Sequence, residues 1–259
     1  MVFDDPVIKR VLRGAKRVYG EGIKKLRLPL TAPILHKVVN EARDDFDGIN
    51  IKAALCVAFA GFLRSGEFTW DTPNTALLRR HIVFNRDNSV TVTLPSSKTD
   101  PFKRGVAIQL ASCPNSPLCP ISALRQLYSR FPRENSHPLF SRALGPFNRQ
   151  YLIERVKELL LQTGIAMTGF SGHSLRKGAA VSAAAIGISR EDIKLLGRWK
   201  SDAVDVYINE VSAAEHTQKL LQLNSKLHTS FTPPKLVAPL GPIAIVPSLF
   251  LNATPTTGT

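Results

Sequence analysis

Residues 172–180 read GHSLRKGAA. Gly172 closes a Ser-Gly turn, and a helix is predicted to begin around His173. On a helix, His173 and Arg176 are three apart and share one face. The alanine-rich run that follows has side chains small enough for close packing against neighbouring helices. An H-x-x-R pair alone is a common surface arrangement, so its meaning depends on the residues the fold brings to it.

Two other words bear on it. FLRSGE at 62–67 follows a run that is apolar almost all round, from Asn50 onward, as expected of a buried central helix. Arg64 is placed near the C-terminal end of that helix, with Glu67 three residues on and on the same face. LGRWKSDAVDVYI at 196–208 holds Arg198, Trp199 and Lys200, then two acids, then Tyr207, one of only four tyrosines. Read singly, Arg64 is a solvated helix end and Tyr207 a core aromatic.

Composition narrows the partner. The 259 residues carry a net charge of +14 with a pI of about 10.0, which favours an anionic partner, nucleic acid before a membrane surface. Residues 1–30 hold eight Lys/Arg against three Asp/Glu, and residues 61–200 hold twenty against nine. The excess therefore covers an N-terminal arm and the middle of the chain. The three cysteines, Cys56, Cys113 and Cys119, have no framework or zinc spacing. They read as structural in a reducing compartment. No apolar stretch is long enough to span a membrane.

The periodicities predict a mainly helical α+β domain with one small antiparallel sheet. Helices are expected over about 31–42 with Thr31 as N-cap, from Asn50, over 120–131 and 148–163, from His173, from Ser189 to an end at the turn residue Gly197, and again, as one helix or a pair, over 202–224. Strands are expected in RRHIVF, SVTVTL and GVAIQL, with Lys98 in the loop SSKTDPFKRG. Residues 1–26 read as a basic arm, 27–224 as the folded domain, and 225–259 as a Pro/Thr-rich tail.

The order Arg64, Lys98, His173-x-x-Arg176, Arg198 or Trp199, then Tyr207 resembles the catalytic domain of tyrosine recombinases, the integrase family. The GRWKS stretch before YI is similar to recombinases of eukaryotic mobile elements such as fungal Crypton transposons. The resemblance implies a nuclear enzyme that cleaves and rejoins double-stranded DNA with no cofactor and no metal. In it, Arg64, His173, Arg176 and Arg198 stabilise a phosphodiester in its transition state. Tyr207 is the nucleophile. Lys98 is the general acid, with Lys103 as the other candidate in the same loop. Glu67 orients a neighbouring cation. The family places His or Trp nine residues before the tyrosine. That spacing selects Arg198, while Trp199 offers the family's side chain one residue later.

The resemblance further implies that residues 1–26 are the last helix and linker of a core-binding domain. Expected DNA contacts are Lys9, Arg10, Arg13, Lys16, Arg17, Lys24, Lys25, Arg104, Lys177 and Lys200. A helix over 210–224 is expected to dock on a second copy. Two other functions fit the residues: a DNA-binding module descended from such an enzyme, and a type IB topoisomerase.

Overall fold

The computed structural model describes residues 5–19, 27–71, 77–95 and 105–208, the side chains of Lys9, Leu12 and Lys16 excepted. The chain divides after Glu215, and all described residues lie in the first unit. It is a mostly helical fold with a three-stranded antiparallel sheet.

Helix α1, Pro6–Tyr19, carries Val7, Val11 and Val18 exposed along one side. Helix α2 is Ala32–Glu41 and α3 is Phe46–Ala60. Helix α3 is buried on nearly every face and forms the middle of the main core, packed against α2, α5 (Pro120–Arg130) and α7 (Ser174–Ala185). It begins four residues before the predicted Asn50. Asp45 is its N-cap and accepts from the Gly48 N–H at 2.8 Å. Asn50 lies inside the helix instead. It donates to the Phe46 carbonyl at 2.8 Å and accepts from the Ser141 N–H at 2.8 Å, so its burial costs little.

Thr31 does hold the N-cap position of α2, but its hydroxyl makes no capping bond. The Ala32 N–H is taken by Ser182 Oγ at 2.8 Å. Ser182 belongs to α7, Ser174–Ala185, so a partner distant in sequence replaces the local cap.

Strands β1 (Ile82–Phe84), β2 (Val90–Leu94) and β3 (Val106–Leu110) pair in the order β1-β2-β3. Val90, Val92 and Leu94 bury the inner face of β2, as period-2 alternation requires. Phe84 meets Tyr128 edge-on at 5.4 Å. Tyr128 lies on α5, Pro120–Arg130, whose N-cap is Cys119. The Cys119 sulfur accepts from Cys113 N–H at 3.3 Å and Ser122 N–H at 3.5 Å. These two cysteines thus close the loop before α5.

Helix α4 is the single turn Ser65–Phe68, α6 is Arg149–Gln162 and α8 is Arg190–Leu196. Gly178 on α7 faces the Leu30 backbone, where a Cβ would overlap the Leu30 carbonyl. The segment before α2 therefore lies directly on α7, joined by the Leu30 N–H to the Ser174 carbonyl at 2.8 Å. A second, smaller core gathers Phe62, Ala179, Ala180, Ile193 and Val204, with Trp199, Tyr207 and Ile208 packed against it.

Candidate active site

Three turns converge at one end of α7: the turn after α3, the Ser-Gly turn before α7, and the turn after α8. The first carries Arg64, though not as the sequence suggests. Helix α3 stops at Ala60, Phe62 takes a positive φ of 50°, and Arg64 becomes the extended N-cap of α4. Glu67 reaches back from the first turn of α4. Its Oε2 accepts from the Arg64 N–H at 2.9 Å, and its Oε1 accepts from Arg64 Nη1 at 2.8 Å. The contact expected from a shared helical face is therefore made by a capping carboxylate.

Arg198 joins the same carboxylate, donating from Nη2 to Glu67 Oε2 at 2.9 Å and from Nη1 to the Gly61 carbonyl at 3.0 Å. The Glu67 side chain is 4% exposed, against 23% for Arg64 and 17% for Arg198. One buried acid thus holds two arginines whose ends still reach solvent.

The turn after α8 is not made left-handed by its glycine. Gly197 is right-handed, and the left-handed residue is Arg198, at φ 58°. Arg198 N–H bonds the Leu195 carbonyl and Trp199 N–H the Lys194 carbonyl, both at 3.0 Å, which is a Schellman end with arginine where glycine is usual. The left-handed backbone costs about 1–2 kcal/mol, offset by charge-assisted bonding to Glu67. Gly197 is needed for another reason. A Cβ there would overlap the Trp199 ring.

Trp199 lies beneath the cluster. Its ring stacks under Arg176, whose Cζ is 4.0 Å from the ring centroid, and meets Phe62 and Tyr207 edge-on at 6.3 and 6.1 Å. Arg176 is 3% exposed. It donates from Nη1 to the Phe62 carbonyl at 2.6 Å and from Nη2 to the Gly197 carbonyl, so it ties the turn after α3 to the turn after α8. Burial first, then Arg64, pushes its pKa down to about 9. It stays charged at neutral pH. Burial also lowers Arg198, with Glu67 opposing.

His173 is the N-cap residue of α7 and is exposed. Its pKa is lowered, first by the partial shielding of the ring from water and then by Arg27, Arg149, Arg176 and Arg64. The imidazole is therefore neutral at pH 7. The unfolded chain takes up the proton first, so the stability contributed is full above the unfolded value of about 6.5. It is lost as pH falls from there through the folded value. A ring titration by NMR is expected to give a midpoint below 6.5. A midpoint at or above it would remove the cationic surroundings from the account.

Tyr207 lies on the helical residues 205–208, half-buried, with its ring on Trp199. Lys177 Nζ is 5.9 Å from its ring centroid and donates to the Arg27 carbonyl at 2.8 Å. Lys177, expected on a DNA-facing surface, is thus buried beside the tyrosine. Arg190 clamps this segment to α8. Its Nε and Nη2 meet the two Asp205 oxygens at 2.6 and 2.8 Å, and Nη2 also meets Asp202 at 2.8 Å.

Arg10, Arg13 and Arg17 are exposed on α1, and Lys9 and Lys16 lie on the same helix. Lys200 is exposed. Lys98, Lys103, Arg104, Lys24 and Lys25, and the helix expected over 210–224, lie outside the described residues. Two cations that the sequence reading passed over, Arg27 and Arg149, stand by His173. Neither belongs to a recognisable word, and only the packing of residues 27–30 and of α6 on the α7 turn brings them there. Among the described residues there is no cluster of His, Cys, Asp and Glu suited to a metal ion, and no helix is long and apolar enough to cross a membrane.

No family model and no curated protein matches the sequence. Solved structures do match the fold. XerH site-specific recombinase bound to palindromic difH substrate superposes with a TM-score of 0.58 at 15% identity, covering 78% of this chain and 56% of that one. XerA recombinase gives 0.56 at 16% identity, over 82% and 73%. The Tn1549 transposon integrase with circular intermediate DNA gives 0.54 at 11% identity, over 82% and 76%. The chain spans about half the length of the XerH and lambda integrase chains it matches. The fold is that of the tyrosine recombinase catalytic domain.

Proposed function

We propose that a chain with this fold uses Tyr207 to cleave and rejoin DNA strands. One observation carries the reading. One carboxylate holds two arginines, Arg64 and Arg198, and the third and most buried, Arg176, donates to two neutral carbonyls. The cluster is net positive beside a tyrosine, and an anion completes it. A phosphodiester fits, because its extra transition-state charge is met by fixed donors. Each guanidinium has five N–H groups, so donors remain after the contacts described.

In the reaction, Tyr207 Oη attacks phosphorus and loses its proton, for which neutral His173 is an acceptor. The bond to the 5′-oxygen breaks, leaving a 3′-phosphotyrosyl link, and the 5′-oxygen takes a proton from Lys98. A 5′-hydroxyl reverses the step and reseals the strand. Lys98 holds this role by the resemblance alone.

The test is covalent trapping of the full chain on nicked duplexes of randomised sequence, with peptide mapping of the adduct. An adduct at Tyr207 and strands joined between duplexes are expected. Duplex binding with no adduct identifies a binding module. Relaxation of supercoils without joining between duplexes identifies a type IB topoisomerase. A mobile-element origin and nuclear location rest on the GRWKS…YI wording, and imaging of a tagged chain outside nuclei would discard the location. Assembly of copies on DNA is supported by apolar Leu195, Leu196 and Val206, exposed around the tyrosine-bearing segment. A monomer-sized complex on duplex in light scattering would argue against it.

A further inference from the structure

The cations around His173 fall into two sets. Arg64 and Arg176 belong to the cluster on Glu67. Arg27 and Arg149 do not: Arg149 Cδ lies 3.5 Å from where a Cβ on Gly172, next to His173, would stand, the Arg27 carbonyl is bound by Lys177 on α7, and both cations lower the His173 pKa.

Arg149 is the first residue of α6. A cation in the first turn opposes the helix dipole, so helix stability does not account for it. Asp71 fixes it, accepting from the Arg149 N–H at 3.0 Å and lying 3.8 Å from Nε. Asp71 is itself held by the Thr69 hydroxyl at 2.8 Å. The arginine crosses two glycines. A Cβ on Gly66 would stand 2.9 Å from Arg149 Nη2, and a Cβ on Gly172 3.5 Å from Arg149 Cδ. These are the residues beside Glu67 and His173. The side chain is 52% exposed.

Arg27 arrives on a pinned backbone. Its carbonyl accepts from Lys177 Nζ at 2.8 Å, and the Leu28 N–H bonds the Gly169 carbonyl at 2.9 Å. The residue is exposed.

We propose that Arg149 and Arg27 form a second phosphate seat beside His173, so that the site grips two neighbouring phosphates of one strand, the scissile one on the Glu67 cluster and its neighbour on this pair. The proposal rests on the DNA reading above and extends it. Arginine suits the role because its planar fork takes phosphate oxygens in pairs. Such contacts carry no base information. They fix the register of the strand, and so where phosphorus sits before Tyr207.

The test measures binding of the full chain to a random-sequence duplex between about 50 and about 200 mM salt. Each lost phosphate contact lowers the slope of log affinity against log salt by about 0.9. Arg149→Gln and Arg27→Gln are each expected to lower it by about that amount, and the double variant by about twice that. Arg125→Gln, the same charge loss on α5, is expected to leave it unchanged. Unchanged slopes for Arg149→Gln and Arg27→Gln overturn the seat, as does an equal fall for Arg125→Gln. If wild type forms the Tyr207 adduct while those two variants keep its slope, the seat alone fails. If wild type binds no duplex, the DNA reading falls and the seat with it.

Discussion

Tyr207→Phe is expected to abolish covalent attachment to DNA while leaving the fold and duplex binding as they are. The aromatic ring is what the protein packs. It meets Trp199 edge-on, sits under Lys177, and belongs to the smaller core with Val204 and Ile193. Phenylalanine keeps all of that and removes only the oxygen. Loss of a covalent nucleophile costs on the order of 10⁶-fold in rate, so the adduct should vanish from a trapping gel. The other tyrosines are poor substitutes. Burial pushes the hydroxyls of Tyr128 and Tyr151 up to about 12, and Tyr128 is committed to the Arg79 carbonyl at 3.1 Å. Tyr19 is exposed on α1. An adduct that persists in Tyr207→Phe ends the nucleophile assignment. A lowered Tm with lost adduct would make the hydroxyl structural.

The sequence makes the elements legible where local chemistry decides them. The alternation in SVTVTL, the Ser189 cap before two acids and the Ala-rich run after GHSLR all depend on neighbours a few residues apart, and each matches the structure. What sequence missed depends on contacts across the fold. Ser182 replaces Thr31 as the cap of α2 because α7 lies alongside it. Asn50 lies inside α3 instead of opening it because it finds its partner at Ser141, 91 positions away. Arg64 leaves its helix at a turn whose Gly61 and Phe62 carbonyls are bound by Arg198 and Arg176, more than a hundred positions away. The site follows the same rule. The words around Arg64, Arg176 and Tyr207 point to an anion, while Arg27 and Arg149 come from unremarkable sequence and act on His173 only through the fold. Gly197 is read easily as a turn residue, yet its reason is the indole beneath it and the strained turn belongs to Arg198.

Glu67→Ala is expected to give the largest loss of stability of any single change in the site. Glu67 accepts three bonds: from the Arg64 N–H, from Arg64 Nη1 and from Arg198 Nη2. Removing it leaves Arg64 and Arg198 facing Arg176 with no acid among them. Breaking a buried ion pair from one side costs about 3–5 kcal/mol, because the remaining charges are still desolvated. For a domain of this size that is a Tm drop on the order of 10 °C. Part of the cost is geometric, since Arg198 keeps its left-handed backbone against a preference of about 1–2 kcal/mol, and the bond to Glu67 is what offsets it. Cleavage should fall together with stability, because both arginines lose their aim. Glu67→Gln keeps the shape and one acceptor oxygen, so it should fall between wild type and alanine. The sign of the electrostatics has its own readout. A site with uncompensated cations binds anions in the folded state only, so sulfate or phosphate should raise the Tm of Glu67→Ala more than that of wild type. An unchanged Tm for Glu67→Ala would show that the carboxylate does not hold the arginines. Equal salt responses in the two proteins would show that its charge is not what balances them.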